Sequence, residues 1–403
     1  VRNVLFGLVA AAAAVGAFGQ VPLRGGYASF PPRSTPSTLQ FQPLGTPTEI
    51  PMWNYSVTAG SDLGGGTFTG SLIGRSPLLR GKTTTTIPLQ IVPVIIVINN
   101  GGSDTHTYDP TVNDGCEPVG HNAVDIIQNS PIFTNTVWTM NGVNVGNTQY
   151  LDASIRASFW SLVGGTSYHL LQQVSVLPTQ TLYFGSVGNA GTTLGIGQNV
   201  TQGGLCGSVG VVNVNTLETA INNLLASLSP TVNIGTLPMV LVNSVVSSQT
   251  GDSLGGCCVL GFHSGYFVGG NLQVTSIFDL DYSNAFGNND ITVIAHELGE
   301  ALFDPTGVNT TPTWGNEGQT QGGCPGSGGQ NNLEVGDPLS PGFGTPTNEW
   351  VVTGSNGLTY HLQELATFSW FFGGTNLGIP GHYSNNGTFT GNAKLCSAGG
   401  GTN

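Results

Sequence analysis

The chain has 403 residues, carries a formal net charge of −13, and is only 7% Asp, Glu, Lys and Arg. That length is ample for one large domain or two medium ones. With 8 Lys and Arg against 21 Asp and Glu, a nucleic-acid partner is excluded, because phosphate binding needs clustered cations.

In chain order, residues 1–19 read as a secretory signal. Arg2 precedes an apolar run from Val4 to Ala17, and Ala17-Phe18-Gly19 supplies small-residue cleavage chemistry. Val1 fits an alternative bacterial start codon. The run is too short and Ala-rich for a membrane span, and no later stretch approaches about 20 apolar residues. The expectation is a bacterial protein exported to the extracellular space, its mature chain not inserted in a membrane. Cys116, Cys206, Cys257, Cys258, Cys324 and Cys396 are an even number of cysteines, which in an exported chain implies structural disulfides.

Residues 20–82 are rich in Pro, Gly and Thr and read as leader or linker with scattered short strands. A single domain is expected over 83–403. Residues 87–98 form a β-branched run expected to be a buried strand, with Pro88 and Pro93 demoting its early part. Helices are expected over 122–128 and 150–163, the second with Leu151, Ile155, Phe159 and Leu162 on one side. Strands follow at 168–176, 181–185 and 209–214, then a helix at 216–228 capped by Asn215. Residues 239–246, 257–268 and 272–280 read as further strands. The pattern is α+β or mixed α/β, with its sheet just upstream of the segment that carries the chemistry.

That segment is 290–305, Asp-Ile-Thr-Val-Ile-Ala-His-Glu-Leu-Gly-Glu-Ala-Leu-Phe-Asp-Pro. It predicts a helix N-capped by Asp290 and stopped by Pro305. Ile291, Ile294, Leu298, Ala301 and Leu302 share one face, and His296, Glu297, Glu300 and Asp304 the other. His296 and Glu300 are i and i+4, so both can grip one cation, with Glu297 between them. This is the layout of the His-Glu-x-x-His zinc helix, in which the Glu activates water, with Glu300 in place of the second His. A carboxylate ligates zinc, but the exchange makes the site harder and less zinc-exclusive. The competing reading is a solvated, acidic helix face.

Two ligands on one helix need a third from elsewhere. Glu334 is the first choice and Asp337 the second, both in the long loop 306–341. Upstream, His263 in Gly-Phe-His-Ser is either a ligand or a stabiliser of the oxyanion formed at an attacked carbonyl. Asp304 is expected to orient His296 or to end the helix. Residues 360–372 are apolar and aromatic, expected as core under the site. Two rival motifs are weaker. Gly251-Asp252-Ser253-Leu254-Gly255 matches a nucleophile elbow in letters only, with no Asp-x-x-His in the chain. Asp279, Asp281 and Asn284 make a small acidic turn in which calcium is conceivable, without EF-hand spacing.

The blocks His296-Glu297-Leu298-Gly299-Glu300 and Leu333-Glu334-Val335-Gly336-Asp337 resemble paired blocks of the phosphate-induced, exordium-like secreted proteins. They look more like those of a set of bacterial exported proteins with His-Glu-x-x-Glu-x-x-x-Asp-Pro, in which a Gly-Tyr-His-Ser block also precedes the helix. Tyr360-His361-Leu362-Gln363-Glu364-Leu365 resembles another recurring block. The likeness covers roughly residues 257–370. It implies a zincin-like fold, a mixed sheet packed on a metal-binding helix and stapled by disulfides. The resulting expectation is a secreted, zinc metallopeptidase-like hydrolase acting on protein or peptide. Zn²⁺ or another divalent cation would be held by His296, Glu300 and Glu334 or Asp337, with Glu297 as general base and His263 beside it. The alternative is a non-catalytic surface or matrix protein with a structural metal clip.

Overall fold

The computed structural model describes residues 26–30, 49–58, 65–78, 84–187, 193–201, 204–251, 257–268, 271–280, 282–283, 285–286, 290–316, 330–339, 349–366, 377 and 393–395. The N-terminal segment 1–19, Cys324, Cys396, Ser253, Asp281 and Asn284 lie outside them. Among the described residues no helix is long and apolar enough to cross a membrane.

The architecture is mixed and sheet-rich. An 11-stranded sheet runs Gly197–Val200, Val209–Asn213, Val245–Ser248, Cys257–Val268, Asn271–Leu280, Leu237–Asn243, Thr85–Asn99 and Thr105–Tyr108, with three more strands off this path. Leu237–Asn243 lies parallel to both Asn271–Leu280 and Thr85–Asn99. Cys257–Val268 and Asn271–Leu280 form an antiparallel hairpin. Strand Thr85–Asn99 passes unbroken through Pro88 and Pro93, contrary to the expected weakening of its first half. Leu89, Ile91, Val92 and Val94 are all fully buried there. At roughly 1.5–3 kcal/mol per buried side chain, their burial outweighs two absent ladder donors at about 1 kcal/mol each.

Several expected boundaries shift for local reasons. The strand expected over 239–246 is two, Leu237–Asn243 and Val245–Ser248, separated at Ser244, whose φ of 54° no strand accepts. The helix Val214–Ser227 begins two residues early because Asn213, not Asn215, caps it, its side chain accepting from the Thr216 N–H at 3.1 Å. Tyr150–Ser158 and Trp160–Val163 replace one longer helix, with a break at Phe159. Residues 306–341, expected as a loop, include strands Thr310–Asn316 and Gln330–Asn332. Cys116 and Cys206 are joined by a disulfide, Cys258 is also disulfide-bonded, and no described cysteine is free.

The helix Thr292–Phe303 is buried along its whole length. It packs on Cys257–Val268 and Asn271–Leu280 below, on Thr359–Gln363, and on Thr67–Ile73. The last of these pairs with Met52–Thr58 as a hairpin inside the stretch expected to be leader or linker. Asn309 ties that hairpin to the helix end, its Nδ2 donating to Ser71 O at 2.7 Å and Phe303 O at 2.6 Å, its Oδ1 accepting from Ser71 N at 2.9 Å. Ile50, Tyr55, Leu72 and Ile73 thereby join the main core.

Candidate metal centre

A helix buried on all sides should carry no ionisable group, since an isolated charge in the interior costs several kcal/mol. This one carries three, with a fourth at its C-cap. His296 and Glu297 have no exposed surface, Glu300 is 2% exposed and Asp304 has none. The solvated face of the competing reading therefore does not exist; the polar side of the helix faces protein.

Two glycines allow this closeness. A Cβ on Gly261 would stand 2.7 Å from Glu297 Cγ and 2.8 Å from Val293 Cγ1, so only a bare backbone lets the helix settle on this strand. Two residues on, and on the same face of the strand, comes His263. Its Nδ1 is hydrogen-bonded to Glu297 Oε2 at 3.3 Å. A Cβ on Gly336 would stand 2.4 Å from His296 Nδ1, so the chain between Glu334 and Asp337 lies flat on the imidazole.

That segment is pinned from both ends. Leu333 N donates to Asn309 O at 2.9 Å and Ala366 N to Val335 O at 2.6 Å, while Leu333 and Val335 are fully buried. Glu300 Oε1 accepts from the N–H of Gly336 at 3.1 Å and of Asp337 at 3.2 Å. Oε2 is then directed into the cluster, 3.1 Å from His296 Nε2 and 3.7 Å from His263 Nδ1. His296 Nε2 lies 3.6 Å from Asp337 Oδ1, and His263 Nε2 lies 3.6 Å from Glu334 Oε2.

The side chains gather into two overlapping sets, His296 with Glu300 and Asp337, and His263 with Glu300 and Glu334. Within each set one candidate ligand atom per residue lies within 4.8 Å of the others. Two ligands of one zinc ion stand roughly 3.4 Å apart in tetrahedral geometry, so separations of 3.1 to 3.7 Å need little adjustment. These buried His, Glu and Asp groups can hold a metal ion. Both suggested third ligands are present, but they serve different imidazoles: Asp337 sits with His296, and Glu334 with His263.

Gln363 orients His296. Its Nε2 donates to Gly336 O at 2.6 Å, which leaves Oε1 to accept from His296 Nδ1 at 3.1 Å. The Nδ1–H tautomer follows, with the Nε2 lone pair toward Glu300 and Asp337. Burial lowers the His296 pKa to about 3, against the opposing pull of the Gln363 contact, so the ring is neutral. Burial also pushes Glu297 up to about 8, and holds Glu300 and Asp304 well above the usual carboxylate range, Glu334 adding to both. His263 Nε2 and Glu297 Oε1 are buried atoms with no hydrogen-bond partner.

Of the two roles expected for Asp304, the structure shows the second: it stands at the C-cap of the helix, and its carboxylate accepts from Val308 N and Asn309 N, each at 3.0 Å, fastening the turn that follows. One expected role changes. Asp290 does not cap the helix, whose N-cap position is Ile291. Its carboxylate instead receives His361, from N at 3.0 Å and from Nδ1 at 2.8 Å. Asp279 of the acidic turn is buried and accepts from Val245 N at 2.9 Å. Sequence reasoning missed Gln363, Gly261 and Gly336, although each lies in or beside a quoted block. No protein-family model matches the chain, and neither a curated protein nor a solved structure does.

Proposed function

We propose that the protein is an exported, metal-dependent hydrolase of zincin-like build, acting on peptide bonds as a zinc metallopeptidase does. His296, Glu300 and Asp337 would hold the cation, Glu297 would be the general base, and His263 would position it. The observation that carries this reading is the convergence of two imidazoles and four carboxyl groups, from Glu297, Glu300, Glu334 and Asp337, in one largely buried cluster. No Lys or Arg occurs between Arg156 and Lys394 to balance them within that part of the chain. A bound divalent cation would offset this negative charge, polarise a substrate carbonyl and make water acidic.

The remaining work falls to side chains. Gln363 holds His296 in its ligating tautomer. His263 occupies Glu297 Oε2 and leaves Oε1 to take a proton. Having taken that proton from water, Glu297 would pass it to a leaving amine. Asp337 is the most accessible member, its side chain 16% exposed, so substrate would approach from its side. The Cys116–Cys206 bridge supports an oxidising, extracellular location. The resemblance to exported proteins carrying His-Glu-x-x-Glu supports it too.

Elemental analysis of protein purified without chelator, paired with Glu297→Gln, tests the proposal. A bound divalent cation retained in the variant, with hydrolysis of unfolded protein reduced by about 10²–10⁴-fold, supports it. Absence of metal from the wild type refutes it. One observation favours a structural clip instead: His263, His296 and Glu297 are wholly enclosed, as in closed structural sites. The clip predicts the same metal with no hydrolysis in either protein.

A further inference from the structure

We propose that the pocket holds two divalent cations, with Glu300 ligating both and His263 and Glu334 completing the second position. The inference rests on the cation reading above and adds a site to it. The two candidate ligand sets each contain one neutral-capable imidazole and one private carboxylate, Asp337 for His296 and Glu334 for His263, and share only Glu300.

The shared group is built for such a role. Two backbone N–H groups hold Glu300 Oε1, so Oε2 is fixed between the rings, 3.1 Å from His296 Nε2 and 3.7 Å from the nearer edge of the His263 ring at Nδ1. A carboxylate common to two ions sets them about 3.5–4 Å apart in two-metal hydrolytic sites. The second position has its own independent mark in His263. Its Nδ1 is engaged with Glu297, its Nε2 has no hydrogen-bond partner, and the whole ring is inaccessible to solvent. That Nε2 points at Glu334 across 3.6 Å, which is too long for a hydrogen bond and suits two ligands of a single ion.

Charge points the same way. Glu297, Glu300, Glu334 and Asp337 amount to four negative charges when ionised. A single divalent ion compensates half of them, and two compensate all. The arrangement assigns His263 as a ligand rather than an oxyanion stabiliser, and leaves Glu297 held at the edge of the second position.

The test is stoichiometric. Chelator-treated full-length chain is loaded with Zn²⁺, freed of excess by gel filtration, and analysed for zinc per chain. The expected result is two equivalents in the wild type, one in His263→Gln and in Glu334→Gln, one in Asp337→Asn, and loss of both in Glu300→Gln. A single equivalent in the wild type overturns the second site while leaving the first standing. Zero overturns both readings. Two equivalents unaffected by His263→Gln and Glu334→Gln overturn the assignment of residues. Should those variants fail to fold, Mn²⁺-loaded wild type decides: an exchange-coupled electron paramagnetic resonance spectrum supports the pair, and an isolated six-line spectrum overturns it.

Discussion

Gly336→Ala is the sharpest structural probe of the pocket. The added methyl would sit 2.4 Å from His296 Nδ1, 2.7 Å from Cγ and 2.7 Å from Cε1, about 1 Å inside ordinary van der Waals contact. The ring cannot retreat, since Gln363 holds its Nδ1 at 3.1 Å. The segment cannot retreat without losing the Gly336 and Asp337 N–H bonds to Glu300. Overpacking costs roughly 1–3 kcal/mol, and two hydrogen bonds to a buried carboxyl add about 1–2 kcal/mol apiece if they break. A total of roughly 3–7 kcal/mol follows if both bonds break, with Asp337 displaced from His296. Thermal melts with and without chelator, beside zinc content, measure both consequences. The variant should melt several degrees lower and hold far less zinc. Wild-type melting together with wild-type zinc content would refute the packing described around His296.

Further outcomes are expected. In metal-free protein, Glu297, Glu300 and Asp304 have folded pKa values above their unfolded ones, so the folded state binds the extra protons. Stability is then fully present below the ordinary carboxylate range and falls as pH rises toward about 8, by about 1.4 kcal/mol per pH unit for each proton. His296, lowered to about 3 from 6.5, acts in the opposite sense only below 6.5. Chelator-treated protein should therefore melt lower at about pH 8 than at about pH 6.5, and a flat or rising profile would count against it. Gln363→Leu removes the group that sets the His296 tautomer and should weaken zinc binding roughly 10–100-fold by competition with a chromophoric chelator, without unfolding the chain. Asp304→Ala strips Val308 and Asn309 of a shared acceptor and should lower stability by about 2–4 kcal/mol in urea melts while metal stoichiometry is unchanged. Reducing Cys116–Cys206, which closes a separation of 90 residues, should cost about 4–5 kcal/mol in the chain-entropy treatment, read as a lower urea midpoint.

The periodic elements were legible because their signals are local. The β-branched run over 87–98 reads as a buried strand, and the i, i+4 pair His296 and Glu300 follows from helical spacing alone. The partition of ligands was not legible. Whether Glu334 or Asp337 meets His296 depends on how the chain around Gly336 lies on the ring, and that is fixed by Gln363, distant in sequence. The helix caps failed for a similar reason. Asp290 has the chemistry of an N-cap, but tertiary packing brings His361 to it and the carboxylate is consumed there. The burial of Glu297 and Glu300 was also hidden, because a carboxyl on a helix face reads as solvated until the covering elements Thr359–Gln363 and Thr67–Ile73 are in place.

X-ray absorption at the zinc edge, on the zinc-loaded chain, reports most directly on whether this buried cluster is a metal centre. The account predicts only nitrogen and oxygen neighbours at about 2.0–2.2 Å, with the outer-shell scattering of imidazole, lost in the His296→Ala, His263→Ala double variant. A spectrum of hydrated zinc, sulfur neighbours, or a signal indifferent to both histidines would contradict it.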